Sequence, residues 1–226
     1  MSPSASQTAP LKTARPGAKA RTRTNDPDRT RANILEVATK EFSEKGLNGA
    51  RVDEIAELTQ TSKRMIYYYF ESKEGLYRAV LENCYMRMRA FENDLGLQQK
   101  PPLEALAHIV RFTFDYQLAN TDFSRLVMVE NIHHGEHIAQ LSGISELNSV
   151  AINTLRDVLA RGEAMGVMRA AIDPIDLHMS ISALCFFNVA NRYTFSNIFK
   201  VDMASPPATA ARREVVTEMI LRYVSV

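Results

Sequence analysis

With 226 residues and 46% hydrophobic content, the chain has room for one large or two small domains around a packed core, and it is too apolar to be disordered throughout. The formal charge of +1 singles out no partner until it is divided: residues 1–75 hold 13 Lys and Arg against 10 Asp and Glu, while residues 76–226 hold 14 against 16. No apolar run approaches the ~20 residues of a membrane span, the first residues lack the hydrophobic core of an export signal, and Cys84 and Cys185 lack CxxC spacing. A reducing cytoplasm is expected, with the cysteines as two small buried thiols or, alternatively, a redox pair.

Residues 1–25 are mostly Ser, Thr, Ala, Pro, Lys and Arg and cannot pack, so they read as a basic tail. Its cations Lys12, Arg15, Lys19, Arg21 and Arg23 either track DNA phosphates as an arm or are simply solvated. Asp26 before Pro27 supplies an N-cap and a first-turn proline. Ile34, Val37, Ala38 and Phe42 then give the first helix one apolar stripe, which Gly46 ends. Val52, Ile55 and Ala56 predict a second, short helix. Thr59, Gln60 and Thr61 break the period, and Thr61 or Ser62 can cap a third helix from Lys63 to Phe70.

In that third helix Ile66 and Phe70 face inward, leaving Lys63, Arg64, Met65, Tyr67, Tyr68 and Tyr69 on the other faces. Two cations at the front of a short helix, with three tyrosines behind them, suit entry into a DNA major groove. Arg and Lys read guanine edges there, and tyrosine hydroxyls donate to phosphates. Arg51, at the mouth of the second helix, is placed for a phosphate or a minor-groove edge, with Thr61 and Ser62 also near the backbone. Ser72 caps a fourth helix whose first N–H groups, with Lys73, can hold another phosphate.

The fourth helix continues through Leu76, Val80, Cys84 and Met88 and would connect two halves of the molecule. Pro101 and Pro102 start a helix over 103–119 with Leu106, Ile109, Val110, Thr113 and Phe114 at helical spacing, and Asp122 is expected to cap the next. A helix is predicted over 138–163, ended by Gly166. Asp173, Pro174 and Asp176 begin one running to about Phe199, and Ser205 with Pro206 begin a last one ending near Tyr223. No strand pattern with turn chemistry occurs, so the chain reads as all-α with about nine helices.

One motif points elsewhere. His133, His134, Gly135, Glu136 and His137 spell H-x-x-E-H, a zinc-ligand order, and on a continuous helix His133 and His137 could share a metal with Glu136 as base. Gly135 weakens such a helix and no third ligand is evident, so plain structural histidines are the simpler expectation. No catalytic residue, metal ligand or cofactor is assigned.

From Arg29 to about Leu81 the chain resembles the DNA-binding domain of TetR-family transcriptional regulators. The resemblance rests on Ala38 and Phe42, Gly46 and Gly49, Ile55 and Ala56, and KRMIYYYFESKE from Lys63. It departs at Gln60, where the family has Gly and a positive φ is implied, and at Tyr69, where the family has His. The resemblance implies a helix-turn-helix head over 26–75 and a regulatory domain over 76–226. It further implies a homodimer through the last two long helices, double-stranded operator DNA with near-palindromic sequence, and a small-molecule effector. The effector pocket is expected between the connecting helix and those around 103–134 and 150–192, with Phe114, Tyr116, Met128, His133 and Asn188 as lining residues. The alternatives are an architectural or ligand-independent DNA binder and a zinc-dependent hydrolase built on HHGEH.

Overall fold

A computed structural model describes residues 26–93 and 95–226; the basic tail over 1–25 lies outside the described residues. These form ten α-helices and no strand: α1 (Pro27–Gly49), α2 (Val52–Leu58), α3 (Lys63–Phe70), α4 (Lys73–Asn93), α5 (Pro102–Ala119), α6 (Thr121–Ile132), α7 (Ile144–Ala164), α8 (Pro174–Ala190), α9 (Arg192–Phe199) and α10 (Pro206–Val224). Single 3₁₀ turns occur at Leu97–Gln99 and Ile138–Gln140. No helix among the described residues is long and apolar enough to cross a membrane.

Two apolar cores organise the helices. The first joins α1, α2, α3 and α4 through Ile34, Phe42, Ile55, Ile66 and Tyr77, and it extends into α5 and α6 through Tyr116, Phe123 and Leu126. The second joins α5, α7, α8 and α10 through Leu106, Phe114, Leu155, Leu177, Ile181 and Val216. The reading head is therefore continuous with the helices beneath it. The Ser43 hydroxyl of α1 also donates to the Asp122 carboxylate of α6 at 3.1 Å.

Asp26 caps α1 as expected, accepting from Arg29 N–H, and Asp173 caps α8, accepting from the N–H groups of Ile175 and Asp176. Three expectations are corrected. Asp122 lies inside the first turn of α6, where its carboxylate is engaged by Ser43, and Asn120 stands at the cap. The helix predicted from 138 begins at Ile144, because Gly143 at φ +80° turns the chain and the carboxylate of Glu130 holds the N–H groups of His137 and Ile138 in a loop. The helix predicted to reach Phe199 breaks at Asn191, which separates α8 from α9. Phe187 and Phe195 pack edge to face at 5.7 Å across that break, whereas residues eight apart on an unbroken helix stand about 12 Å apart along the axis.

Cys84 belongs to the first core and Cys185 to the second, and burial pushes their thiols up to about 11 and about 12, so neither ionises near neutral pH. Burial in separate cores fits two structural thiols better than a redox pair.

Gly75 sits where α3 meets α4, and a Cβ there would overlap the carbonyl of Phe70. Gly75→Ala is expected to destabilise the protein by about 1–3 kcal/mol despite alanine's higher helix propensity, read as a lower urea midpoint in far-UV circular dichroism.

Candidate nucleic-acid interface and ligand cleft

The interface begins with how α2 ends. Thr61 N–H bonds to Ala56 C=O and Gln60 N–H to Glu57 C=O, the paired bonds of a left-handed helix stop, and Gln60 occupies its left-handed position at φ +52°. Glycine would adopt that conformation without the cost of roughly 1 kcal/mol that a Cβ brings. The turn accommodates glutamine all the same. Between the two residues expected as caps the structure selects Ser62, whose hydroxyl accepts from Met65 N–H at 3.2 Å.

Helix α3 is then fixed from below. Ile66 and Phe70 are buried, and the Arg31 guanidinium lies 5.3 Å from the Phe70 ring centre. This leaves Arg64 and Tyr68 fully outward, Tyr68 at 77% exposure; Tyr67 is exposed, and Met65 and Tyr69 are half-buried. Tyr69 packs against the first core and meets Tyr68 edge to face at 5.4 Å. Lys63 pairs with Asp53 of α2 at 3.0 Å, Arg51 stands 3.9 Å from Glu54, and Lys73 donates to the Asn48 carbonyl at 3.3 Å. Arg64 makes no ion pair with any described residue. The Lys63–Asp53 pair is exposed and so worth little, and a phosphate or base edge can displace it.

The histidine motif forms a loop rather than a metal centre. His134 and Gly135 both have positive φ, so His133 and His137 do not share a helix face. His133, exposed at the end of α6, points its Nδ1 at the Val129 carbonyl. His137 sets its Nδ1 3.1 Å from the buried Glu130 carboxylate and its ring edge-on to Tyr77 of α4 at 5.1 Å. Arg78 of α4 donates to Gln140 in the same loop at 3.2 Å. Among the described residues no group of three or more His, Cys, Asp or Glu is placed to hold a metal.

A cleft of about 460 Å³ opens among α4, α5, α6, α7 and α8. Tyr85, Met88, Phe123, Val127 and Phe186 supply apolar wall, while Arg89, Gln117 and His178 supply polar groups. Arg89 is only 4% exposed and its Nη1 pairs with Glu92 one turn along α4. Burial and the Arg89 charge both lower the pKa of His178, which keeps it neutral at neutral pH.

The five residues expected to line a pocket are dispersed. Phe114 is in the second core, and Tyr116 packs on Phe91, Phe112 and Phe123. Met128 is half-buried on α6, His133 is exposed, and Asn188 is buried on α8 with its amide nitrogen unpartnered. Tyr116 adjoins the cleft only by backing Phe123. Sequence reasoning missed Arg89 and Gln117, although both leave a signal: each is a polar residue at a position where an apolar helical stripe continues, beyond Tyr85 and Met88 in α4 and beyond Thr113 and Phe114 in α5.

Comparison with known proteins agrees with this geometry. Residues 34–80 match the family of bacterial regulatory proteins called tetR, and residues 102–220 match the tetracyclin repressor-like C-terminal domain. The chain belongs to the TetR family. It is a DNA-binding transcriptional regulator, and its family is one of regulators rather than enzymes. This TetR-family chain is 36% identical over 200 residues to the HTH-type transcriptional repressor NicS of Pseudomonas putida, covering 88% of this chain and 94% of NicS. It is 28% identical over 160 residues to the repressor SCO4008 of Streptomyces coelicolor, covering 70% and 78% of the two chains. Among solved structures, the transcriptional regulator SCO4942 of Streptomyces coelicolor superposes with a TM-score of 0.63 at 27% identity, over 86% of this chain and 98% of that one. A tetR-family regulatory protein from Rhodococcus RHA1 shares the fold with a TM-score of 0.68 at 19% identity, over 87% and 97%.

Glu130→Gln removes the charge that holds three donors of the histidine loop. It is expected to cost about 1.5–3 kcal/mol in urea unfolding and to speed amide hydrogen exchange at His137 and Ile138.

Proposed function

We propose that this TetR-family chain is a ligand-responsive repressor that acts in the cytoplasm as a homodimer on a near-palindromic operator. The head over 26–75 reads DNA and the domain over 76–226 dimerises and binds the effector. One observation carries the reading: a short helix, capped by Ser62 and anchored by Ile66 and Phe70, presents to solvent an exposed Tyr68 and an Arg64 that makes no ion pair among the described residues. The two relatives named as repressors, similar over most of this chain, support the sign of regulation.

Lys63, Arg64, Met65 and Tyr68 take base edges, and Arg51, Thr61, Ser62, Tyr67, Tyr69 and Lys73 take phosphates. Two-fold symmetry of the dimer is mirrored in the operator. The dimer forms through α8 and α10, on which Ile175, Met179 and Phe187 and the i, i+4 stripe Val215, Met219 and Tyr223 are exposed in the single chain. The effector enters the Arg89 cleft and favours a conformer in which the two α3 helices no longer match successive major grooves.

Fluorescence anisotropy on the DNA upstream of the gene, against a scrambled duplex, tests the reading. Preference for the native duplex by about 100-fold is expected, within the range of specific over non-specific binding, with affinity for both falling steeply as salt rises. Arg64→Ala should cost about 1–3 kcal/mol on the native duplex and relax its preference, whereas Lys73→Ala should weaken both duplexes alike. Binding to no DNA would sink the proposal. Met219→Asp should shift sedimentation from dimer to monomer and remove operator binding with it; an unchanged dimer would place the interface elsewhere.

A further inference from the structure

Three features of the cleft specify what it binds. First, the Arg89 guanidinium is unevenly used. Among the described residues its Nη1 pairs with Glu92, its Nη2 meets the Met88 sulfur at 3.4 Å, and its Nε is buried without a hydrogen-bond partner. The Nε–Nη2 edge offers two parallel N–H groups, the arrangement that a carboxylate accepts with both oxygens. Second, Gln117 lines the same cleft at 5% exposure, and its Oε1 is buried with no donor among the described residues. Buried polar atoms left unpaired are costly, so a molecule that reaches these two cleft-lining groups supplies bonds that they lack among the described residues. Third, Tyr85, Met88, Phe123, Val127 and Phe186 make much of the remaining wall apolar or aromatic, and its other polar members, Asn131, Asn148, His178 and Ser182, include no carboxylate.

Resting on the reading of this cleft as the effector site, we infer that the effector is a small monocarboxylate with an apolar or aromatic body. Its carboxylate binds the Nε–Nη2 edge of Arg89, and a hydroxyl or N–H of the same molecule donates to Gln117. A cation is repelled by Arg89, and an uncharged molecule of the same shape fills the wall but leaves Arg89 Nε less well paired. Glu92 is the internal competitor for the guanidinium, and Glu92→Gln keeps Arg89 while removing the competing charge.

The test is isothermal titration calorimetry of the full-length protein with benzoate, 3- and 4-hydroxybenzoate, phenylacetate and hexanoate, each against its matched amide, and with benzylamine. DNA release is followed in parallel by anisotropy. Acids are expected to bind at least about 10-fold tighter than amides, and the hydroxybenzoates tighter than benzoate. Arg89→Met, combined with Glu92→Gln so that no buried carboxylate is left unpaired, should lose about 10- to 100-fold in acid affinity while melting cooperatively. Glu92→Gln alone should gain several-fold, which a merely structural ion pair would not produce. Amides or benzylamine binding as tightly as acids, no acid binding at all, or an unchanged acid affinity in the double variant would overturn the inference. Acid binding that leaves DNA bound would uphold the ligand class and defeat the effector reading; DNA release by amides alone would do the reverse.

Discussion

An eight-residue helix cannot hold itself in place. Isolated helices shorter than about 12–15 residues are marginal in water, so the direction in which α3 points is set by what lies beneath it. That support is the burial of Ile66 and Phe70 in a core shared with Phe42 of α1 and Tyr77 of α4, whose rings meet edge to face at 5.1 Å. The outward position of Arg64 and Tyr68 is a consequence of this burial. Any movement of α1 or α4 relative to the other helices is therefore inherited by the reading surface.

Helix α4 spans the distance between that surface and the cleft. Tyr77 lies under the head, Arg89 lies in the cleft wall, and their separation of 12 positions along one continuous helix spans about 18 Å. The histidine loop grips α4 near its head end through Tyr77 and Arg78, and Glu130 at the end of α6 ties that loop down. On the proposed reading, a molecule that repacks the cleft pushes on one end of a rod whose other end is clasped, and tilt at α3 is the kind of motion by which packed helices transmit a binding event.

The H-x-x-E-H run illustrates how a motif depends on its backbone. In the H-x-x-E-H arrangement both histidines reach the zinc from one face of a continuous helix, and positive φ at His134 and Gly135 removes that face. His137 serves packing instead. His137 is held by Glu130, six residues before the motif's own glutamate, while Glu136 is exposed.

Much of the fold is local and was legible in the sequence. Apolar period, the caps Asp26 and Asp173, and the prolines at 27, 102, 174 and 206 fix where helices start, because those groups act within one turn of themselves. The reading helix was legible for the same reason: Ser62, Ile66 and Phe70 define its cap and its buried side within nine residues. The break at Asn191 and the late start of α7 were not legible, since they depend on Phe187 meeting Phe195 and on Glu130 capturing a loop seven and eight residues away. Nor could the sequence assemble the cleft. Arg89 and Gln117 lie on different helices, and only the packing of α4, α5, α6 and α8 decides that two polar residues on apolar stripes face the same space with bonds left to make.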